Sequence, residues 1–259
     1  MLLTIKNLSV RIKGQEKAGP IIADVDVQIR PNEIVAVVGA SGSGKTTTGL
    51  AVMRLLDPAL GVTAGKIILE DQQDLLALPA SEMNRIRGSK ISMVFQDQLS
   101  AFNPVLTVGY QIDEVFKYHT SHPGKRIRSM TQEWLQRVGI PEPQRVYHSY
   151  PHQLSGGMRQ RAMIAMAMAL QPRLIIADEP TSNLDVTLQA RILELFQELR
   201  ETQDVSILFI THDLGLVKRL CDRVYVMNKG RVIESGKSTE VFAAPRESYT
   251  QQLLKAVSV

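Results

Sequence analysis

Apolar and polar residues alternate along "LLTIKNLSV" (2–10) and "ADVDVQI" (23–29), as in strands with one buried face. "EIVAVV" (33–38) is β-branched and apolar almost throughout, as a strand covered on both sides would be. The period then lengthens, and "GKTTTGLAVMRLL" (44–56) predicts a helix. "GKIILE" (65–70) and "KISMVFQ" (90–96) read as further strands. From about 107 to 170 the spacing is helical in "TVGYQIDEVFKYH", "KRIRSMTQEWLQRVG" and "GGMRQRAMIAMAMALQ", with Pro and Gly between them. After 173 the two periods alternate again. "RLIIAD" and "VSILFIT" are strands, and "TLQARILELFQELRE" and "LGLVKRLC" are helices. "RVYVMNKG" and "RVIESG" form a hairpin, and "YTQQLLKAV" is a short helix. In the long helix, Leu188, Ile192, Leu195, Phe196 and Leu199 share one face. The pattern predicts one α/β domain over 1–259, with a core at 1–96 and 171–259. A helical subdomain at about 97–170 interrupts that core. Buried β-branched strands alternating with helices favour a parallel sheet.

Chemistry enters at "GASGSGKTT" (39–47), which fits G-x-x-x-x-G-K-[ST] between a strand and a helix, the context that pattern requires. Gly39, Gly42 and Gly44 let the backbone curl, so that N–H groups from Ala40, Ser41, Ser43, Thr46 and Thr47 can face phosphate oxygens. The helix dipole adds positive potential there. Lys45 should reach the β- and γ-phosphates, and Thr46 should ligate Mg²⁺. In "LIIADEP" an apolar strand runs into Asp178 and Glu179, which places both carboxylates at its carboxyl end. Asp178 suits Mg²⁺, and Glu179 suits a general base for an attacking water. Gln96 ends a strand and can offer its amide oxygen to Mg²⁺ and to that water. His212 follows "FIT" at another strand end, where a lone histidine is usually structural; the nucleotide groups on neighbouring strands reverse that expectation. "LSGG" (154–157) sets Ser155 as a helix cap, with Gly156 and Gly157 permitting close backbone approach. Read alone it is only a cap.

The order of these motifs resembles the ATPase subunits of ABC transporters: phosphate loop, Gln96, "LSGG", "LIIADEP", "SNLD", His212. The resemblance covers essentially the whole chain. It implies a P-loop NTPase (RecA-like) core, an N-terminal antiparallel β subdomain, and a helical subdomain specific to the family. It also implies two such chains paired head to tail. Ser155, Gly156 and Gly157 would serve ATP held by the partner. Asn183, Leu184 and Asp185 would line the dimer seam, and His212 would contact the γ-phosphate and polarise the water with Glu179. The family usually has an aromatic residue near the end of the first strand to stack on adenine, and here Ile12 stands in that place.

"FQDQLSAFNPVLTVG" (95–109), the stretch around "LSGG" and "YTQQLL" are similar to the dipeptide, oligopeptide and nickel importer branch. That branch implies a second, related ATPase subunit, two transmembrane permease subunits and, indirectly, an extracytoplasmic solute-binding protein. It implies a peripheral position on the cytoplasmic face of the bacterial inner membrane. Phe102, Asn103 and Pro104 would lie where a permease coupling helix docks. Peptide-importing members often continue into a cysteine-rich tail, and the sequence ends at Val259 without one. This tilts the expectation slightly toward nickel or a metal chelate over peptide.

Composition adds little that is specific. With 259 residues, 44% hydrophobic and 22% charged, the chain can bury a sizeable core and is not disordered throughout. A net charge of +4 suits a nucleotide, a nucleic acid or an anionic membrane, and selects none of them. The short stretch from Gln96 to Ser155 argues against DNA-repair and chromosome-maintenance relatives with their long insertions. No nucleic-acid partner is expected. A soluble ATPase acting on nucleic acid or ribosomes, and an exporter or lipoprotein-release ATPase, are the alternatives. The single cysteine, Cys221, reads as a packing residue. "HTSH" (119–122) reads as a solvated loop, and "KRIR" as a wet helix face. No secretory leader is read at the N-terminus, and no run of 18 apolar residues occurs.

Overall fold

The computed structural model describes residues 1–15, 19–97, 100–182 and 184–257, with the backbone alone at 256 and 257. Along the chain come β1 (Leu3–Ile12), β2 (Ile22–Ile29), β3 (Ile34–Val38), α1 (Lys45–Met53), β4 (Leu60–Leu69), β5 (Gln73–Asp74), α2 (Ala80–Ile86) and β6 (Ile91–Val94). Next are α3 (Val108–His119), α4 (Gly124–Arg137), α5 (Pro143–His148), a 3₁₀ turn (Pro151–Gln153), α6 (Gly156–Met168), β7 (Leu174–Asp178) and α7 (Val186–Gln203). The chain then runs through β8 (Ser206–Thr211), α8 (Leu214–Leu220), β9 (Arg223–Asn228), β10 (Arg231–Lys237), α9 (Ser238–Ala243) and α10 (Ser248–Val257). Contacts divide it into two compact units, Met1–Met83 with Asp204–Val259, and Asn84–Gln203.

In the first unit β2, β1, β4 and β5 form an antiparallel sheet in that order. Leu3, Ile5, Leu8 and Val10 of β1 are buried, as the alternation requires. The β1–β4 register slips between Lys6 and Ser9. Asn7 takes a positive φ there, and a Cβ on Gly65 would lie 2.6 Å from Asn7 O, so glycine alone fits. The same unit holds β3, paired in parallel with β8 and with β9, while β9 returns antiparallel as β10. All five residues of β3 and all six of β8 are buried, which accounts for their unbroken apolar sequences. Helix α1 stops at Met53, short of the expected Leu56. Arg54 is its left-handed C-cap (φ 52°), with Leu55 N–H returning to Leu50 O at 2.8 Å, and its guanidinium donates to Leu78 O at 2.6 Å and Leu75 O at 3.2 Å.

In the second unit β6 pairs in parallel with β7. Strand β6 ends at Val94, so Phe95 and Gln96 project beyond it and are exposed, where the sequence predicts strand to 96. Helices α3 to α6 pack through Ile112, Phe116, Ile127, Trp134, Leu135, Val146 and Met163, all buried. Within that core the Asp113 carboxylate accepts the hydroxyls of Thr131 and Tyr147, each at 2.6 Å. "HTSH" is not wholly loop. His119 is the last residue of α3, half-buried beside Gly88, and burial holds its pKa below the usual histidine value. Cys221 is buried as expected.

Candidate active site

The phosphate loop lies in the first unit, between β3 and α1. Its glycines are needed at two places. Gly44, the N-cap of α1, has φ 101°, and a Cβ on it would sit 2.4 Å from Ile22 Cγ2. Gly39 would place a Cβ 2.2 Å from Met227 O. Gly42 is also left-handed (φ 77°), yet a Cβ there would meet nothing within 4 Å, so its side faces open space. The first turn of α1 has no acidic residue and no side-chain cap, which leaves its N–H groups without an anionic partner from the helix itself.

Two further observations fit this loop to a phosphate group. Ser43 is 4% exposed, and its buried Oγ finds no partner among the described residues. Lys45 is 5% exposed, and its ammonium donates to Gly39 O at 2.9 Å and Ala40 O at 3.0 Å, so a cation is already stored in the cradle. Ala40 and Ser41 are exposed, Thr46 is exposed on the first turn of α1, and Thr47 is half-buried behind it. The Ala40 N–H donates to Tyr249 Oη at 3.0 Å, a contact the sequence did not suggest.

His212, in the same unit, follows β8 on an exposed turn. The turn is built by Asp213. Its N–H donates to Thr211 Oγ1 at 3.0 Å, and its carboxylate caps α8 through the N–H groups of Gly215 (2.8 Å) and Leu216 (3.2 Å). Ile12 ends β1, half-buried.

The second unit carries the carboxylates. Asp178 closes β7 and is 3% exposed. Glu179 follows at φ 44°, an unusual value for a non-glycine residue and one that concentrates at functional sites. The turn is held because Glu179 O accepts the Ser182 N–H (3.1 Å) and Ser182 Oγ–H (2.9 Å). Gln96 Nε2 donates to Glu179 Oε2 at 2.9 Å. Two residues 83 positions apart, each singled out for water chemistry, are therefore in direct contact.

Ser155 is exposed and caps α6, its Oγ accepting the Met158 N–H at 3.3 Å. Gly156 is half-buried; Gly157 is buried, and a Cβ there would press on Leu188 Cδ1 at 3.0 Å. Asp185 has a local task as well, since its Oδ1 accepts the Leu188 N–H (2.9 Å) at the start of α7. Asn183 lies outside the described residues. Phe102 is buried at 2% exposure, while Asn103 and Pro104 are exposed. The sequence did not suggest Gln111, which clamps that segment. It accepts the Asn103 N–H at 2.8 Å and donates to Asn103 O (3.1 Å) and Leu106 O (3.0 Å).

Comparison with known proteins agrees with this fold and these motifs. The family described as ABC transporter matches residues 22–182. The chain is 45% identical over 98% of its length to the peptidoglycan transport ATP-binding protein YejF of Agrobacterium fabrum, spanning 47% of that relative. It is 44% identical over 98% of its length to the oligopeptide transport ATP-binding protein OppD of Lactococcus lactis, spanning 75% of it. The chain thus covers about half of the first relative's length and three quarters of the second's. Among solved structures it resembles the dimeric ATP-binding cassette MJ0796 bound to ADP and Pi in a post-hydrolysis state. The TM-score is 0.79 at 29% identity, covering 91% of this chain and 98% of that one. Among the described residues no helix is long and apolar enough to cross a membrane. A P-loop NTPase core, the ordered motifs and these relatives lead to one conclusion: the chain belongs to the ABC transporter family, as an ATP-binding cassette with ATPase activity.

Proposed function

We propose that the chain energises peptide uptake, hydrolysing ATP on the cytoplasmic face of a bacterial membrane beneath two permease subunits. A solute-binding protein would deliver the cargo outside. The names of the relatives favour peptide cargo over nickel or a metal chelate, and favour a transporter subunit over an ATPase acting on nucleic acid or ribosomes. The dimeric neighbour supports pairing with a second cassette, and the family resemblance implies that the two meet head to tail. On this reading 97–170 is the helical subdomain, set into a core of 1–96 and 171–259.

The chemistry follows from the residues. Backbone N–H groups of the loop from Ser41 to Thr47 hold the phosphates, while the Ala40 N–H stays on Tyr249 Oη. Lys45 would leave the loop carbonyls to pair with the β- and γ-phosphates; as the family resemblance implies, the Thr46 hydroxyl of the first unit, and the Gln96 amide oxygen and Asp178 of the second, are the groups that would hold Mg²⁺. Mg²⁺, when bound, would supply charge neutralisation. Glu179 takes a proton from the attacking water, with Gln96 orienting its carboxylate, and His212 steadies the γ-phosphate. Ser155, Gly156 and Gly157 present the α6 N-terminus to ATP on the partner cassette, and Asp185 lies along the seam.

The observation that carries this reading is the Gln96–Glu179 hydrogen bond at 2.9 Å, which gives the base a fixed direction. Glu179→Gln retains a partner for Gln96 but cannot take the proton. General-base loss should slow hydrolysis by about 10²–10⁴-fold while ATP still binds and dimers accumulate. Turnover within a few-fold of wild type would remove Glu179 from the role. Peptide-dependent stimulation of the assembled transporter, tested beside Ni²⁺, decides the cargo.

A further inference from the structure

The Gly39–Ala40 peptide is held at both ends. Its carbonyl oxygen, on Gly39, accepts from Lys45 Nζ at 2.9 Å, and its N–H, on Ala40, donates to Tyr249 Oη at 3.0 Å. A peptide group is planar, with N–H and C=O pointing in opposite directions. Whatever fixes the N–H therefore fixes the direction of the carbonyl, and with it a resting contact of the Lys45 ammonium.

Tyr249 is well placed to impose that constraint. It is the second residue of α10, and the entry to that helix is tied down twice. The Glu234 carboxylate, on β10, accepts the N–H groups of Arg246 (2.8 Å) and Glu247 (3.2 Å). The Gln251 amide donates to Pro245 O at 3.1 Å across the turn into the helix. α10 also packs against α8, the helix that begins after His212. The hydroxyl thus comes from an anchored helix and reaches a residue 209 positions earlier.

We propose that Tyr249 is a positioning residue for nucleotide binding: its hydroxyl sets the Gly39–Ala40 peptide plane and so presets the phosphate loop and the Lys45 ammonium. The proposal rests on the reading of that loop as the ATP site. Tyr249 touches no phosphate itself. It narrows the loop to one geometry before the ligand arrives, and a preorganised site binds more tightly than one that must be ordered on binding.

Tyr249→Phe keeps the ring and deletes the acceptor. The affinity of the full chain for a fluorescent ATP analogue should fall about two- to tenfold, the range a net hydrogen bond spans. KM should rise with kcat little changed, and the urea midpoint should hold. Amide exchange at Ala40, measured without nucleotide, should quicken. The decisive comparison uses Ala40→Pro, which has no N–H to offer. In that background Tyr249→Phe should have no further effect. An unchanged affinity in Tyr249→Phe, or the same loss in the Ala40→Pro background, overturns the proposal. Should Ala40→Pro fail to fold, exchange at Ala40 decides, and no acceleration in Tyr249→Phe overturns it. A wild-type chain that does not bind the analogue would instead sink the ATP-site reading, because the exchange measurement needs no ligand.

Discussion

The phosphate loop allows torsional and steric demands for glycine to be separated within three residues. Gly42 and Gly44 both adopt left-handed φ, 77° and 101°. An alanine at either position meets the backbone cost of that region, about 1–2 kcal/mol. Only at Gly44 does the added methyl collide, at 2.4 Å from Ile22 Cγ2 and 3.3 Å from Met227 Cε. Ile22 is fully buried in β2 and cannot retreat without moving the sheet, so overpacking adds about 1–3 kcal/mol. Gly44→Ala should therefore lose about 2–5 kcal/mol and Gly42→Ala about 1–2 kcal/mol. Urea titration followed by circular dichroism measures both. With a slope of about 2–3 kcal/mol/M, the Gly44 variant should unfold earlier by up to about 2.5 M, and the Gly42 variant by at most about 1 M. Equal losses would refute the steric argument. A Gly44→Ala protein as stable as wild type would refute the positions of Ile22 and Gly44 together.

Three further outcomes follow from contacts already described. Asp113→Asn should destabilise the helical unit by about 1.5–3 kcal/mol, the worth of a hydrogen bond to a charged acceptor. Tyr147, raised to about 12 first by burial and then by its hydrogen bond to Asp113, should titrate nearer its ordinary range in that variant, read by ultraviolet absorbance. The neutral phenol is the favoured form, so its contribution to stability is complete below pH 10 and lost as pH rises through about 12. Glu234 has the opposite sign. Burial pushes its pKa up, but the Arg246 N–H, the Thr250 hydroxyl, the Glu247 N–H and the Arg246 charge together outweigh it, so the net shift is downward. Its contribution is present above the usual glutamate range of about 4.3 and fades as pH falls through the lowered value; Glu234→Gln should flatten that slope in acid unfolding. Ser155→Ala should cost about 1 kcal/mol of helix capping. It should slow hydrolysis by paired cassettes more than it weakens nucleotide capture by one chain, and the reverse order would count against a role across the dimer.

Local chemistry made much of this legible. β3, β7 and β8 stand out because parallel strands buried on both faces have unbroken apolar sequences, and the phosphate loop stands out because its torsions demand glycine at fixed spacing. The end of α1 was hidden, because an arginine, Arg54, takes the left-handed cap position where a glycine would have signalled the stop. β5 and α2 have two and seven residues, too few to show a period. His119 reads as loop only until α3 is seen to carry it against Gly88. Among the site residues, Gln96 and Glu179 could be named from their strand ends, but their contact could not. The Tyr249 contact is less accessible still, since nothing near residue 40 or residue 249 signals the other.

The Lys45 ammonium, resting on Gly39 O and Ala40 O, makes the loop its own competitor. A ligand gains the lysine only by replacing charge-assisted hydrogen bonds such as these, each worth about 1.5–3 kcal/mol. Inorganic phosphate or a nucleoside monophosphate offers few oxygens for that exchange, whereas a β,γ-diphosphate offers several along the loop. The resting contact thus works as a threshold that ranks ligands by the length of their phosphate chain. It also gives the lysine somewhere to return when a shortened product leaves.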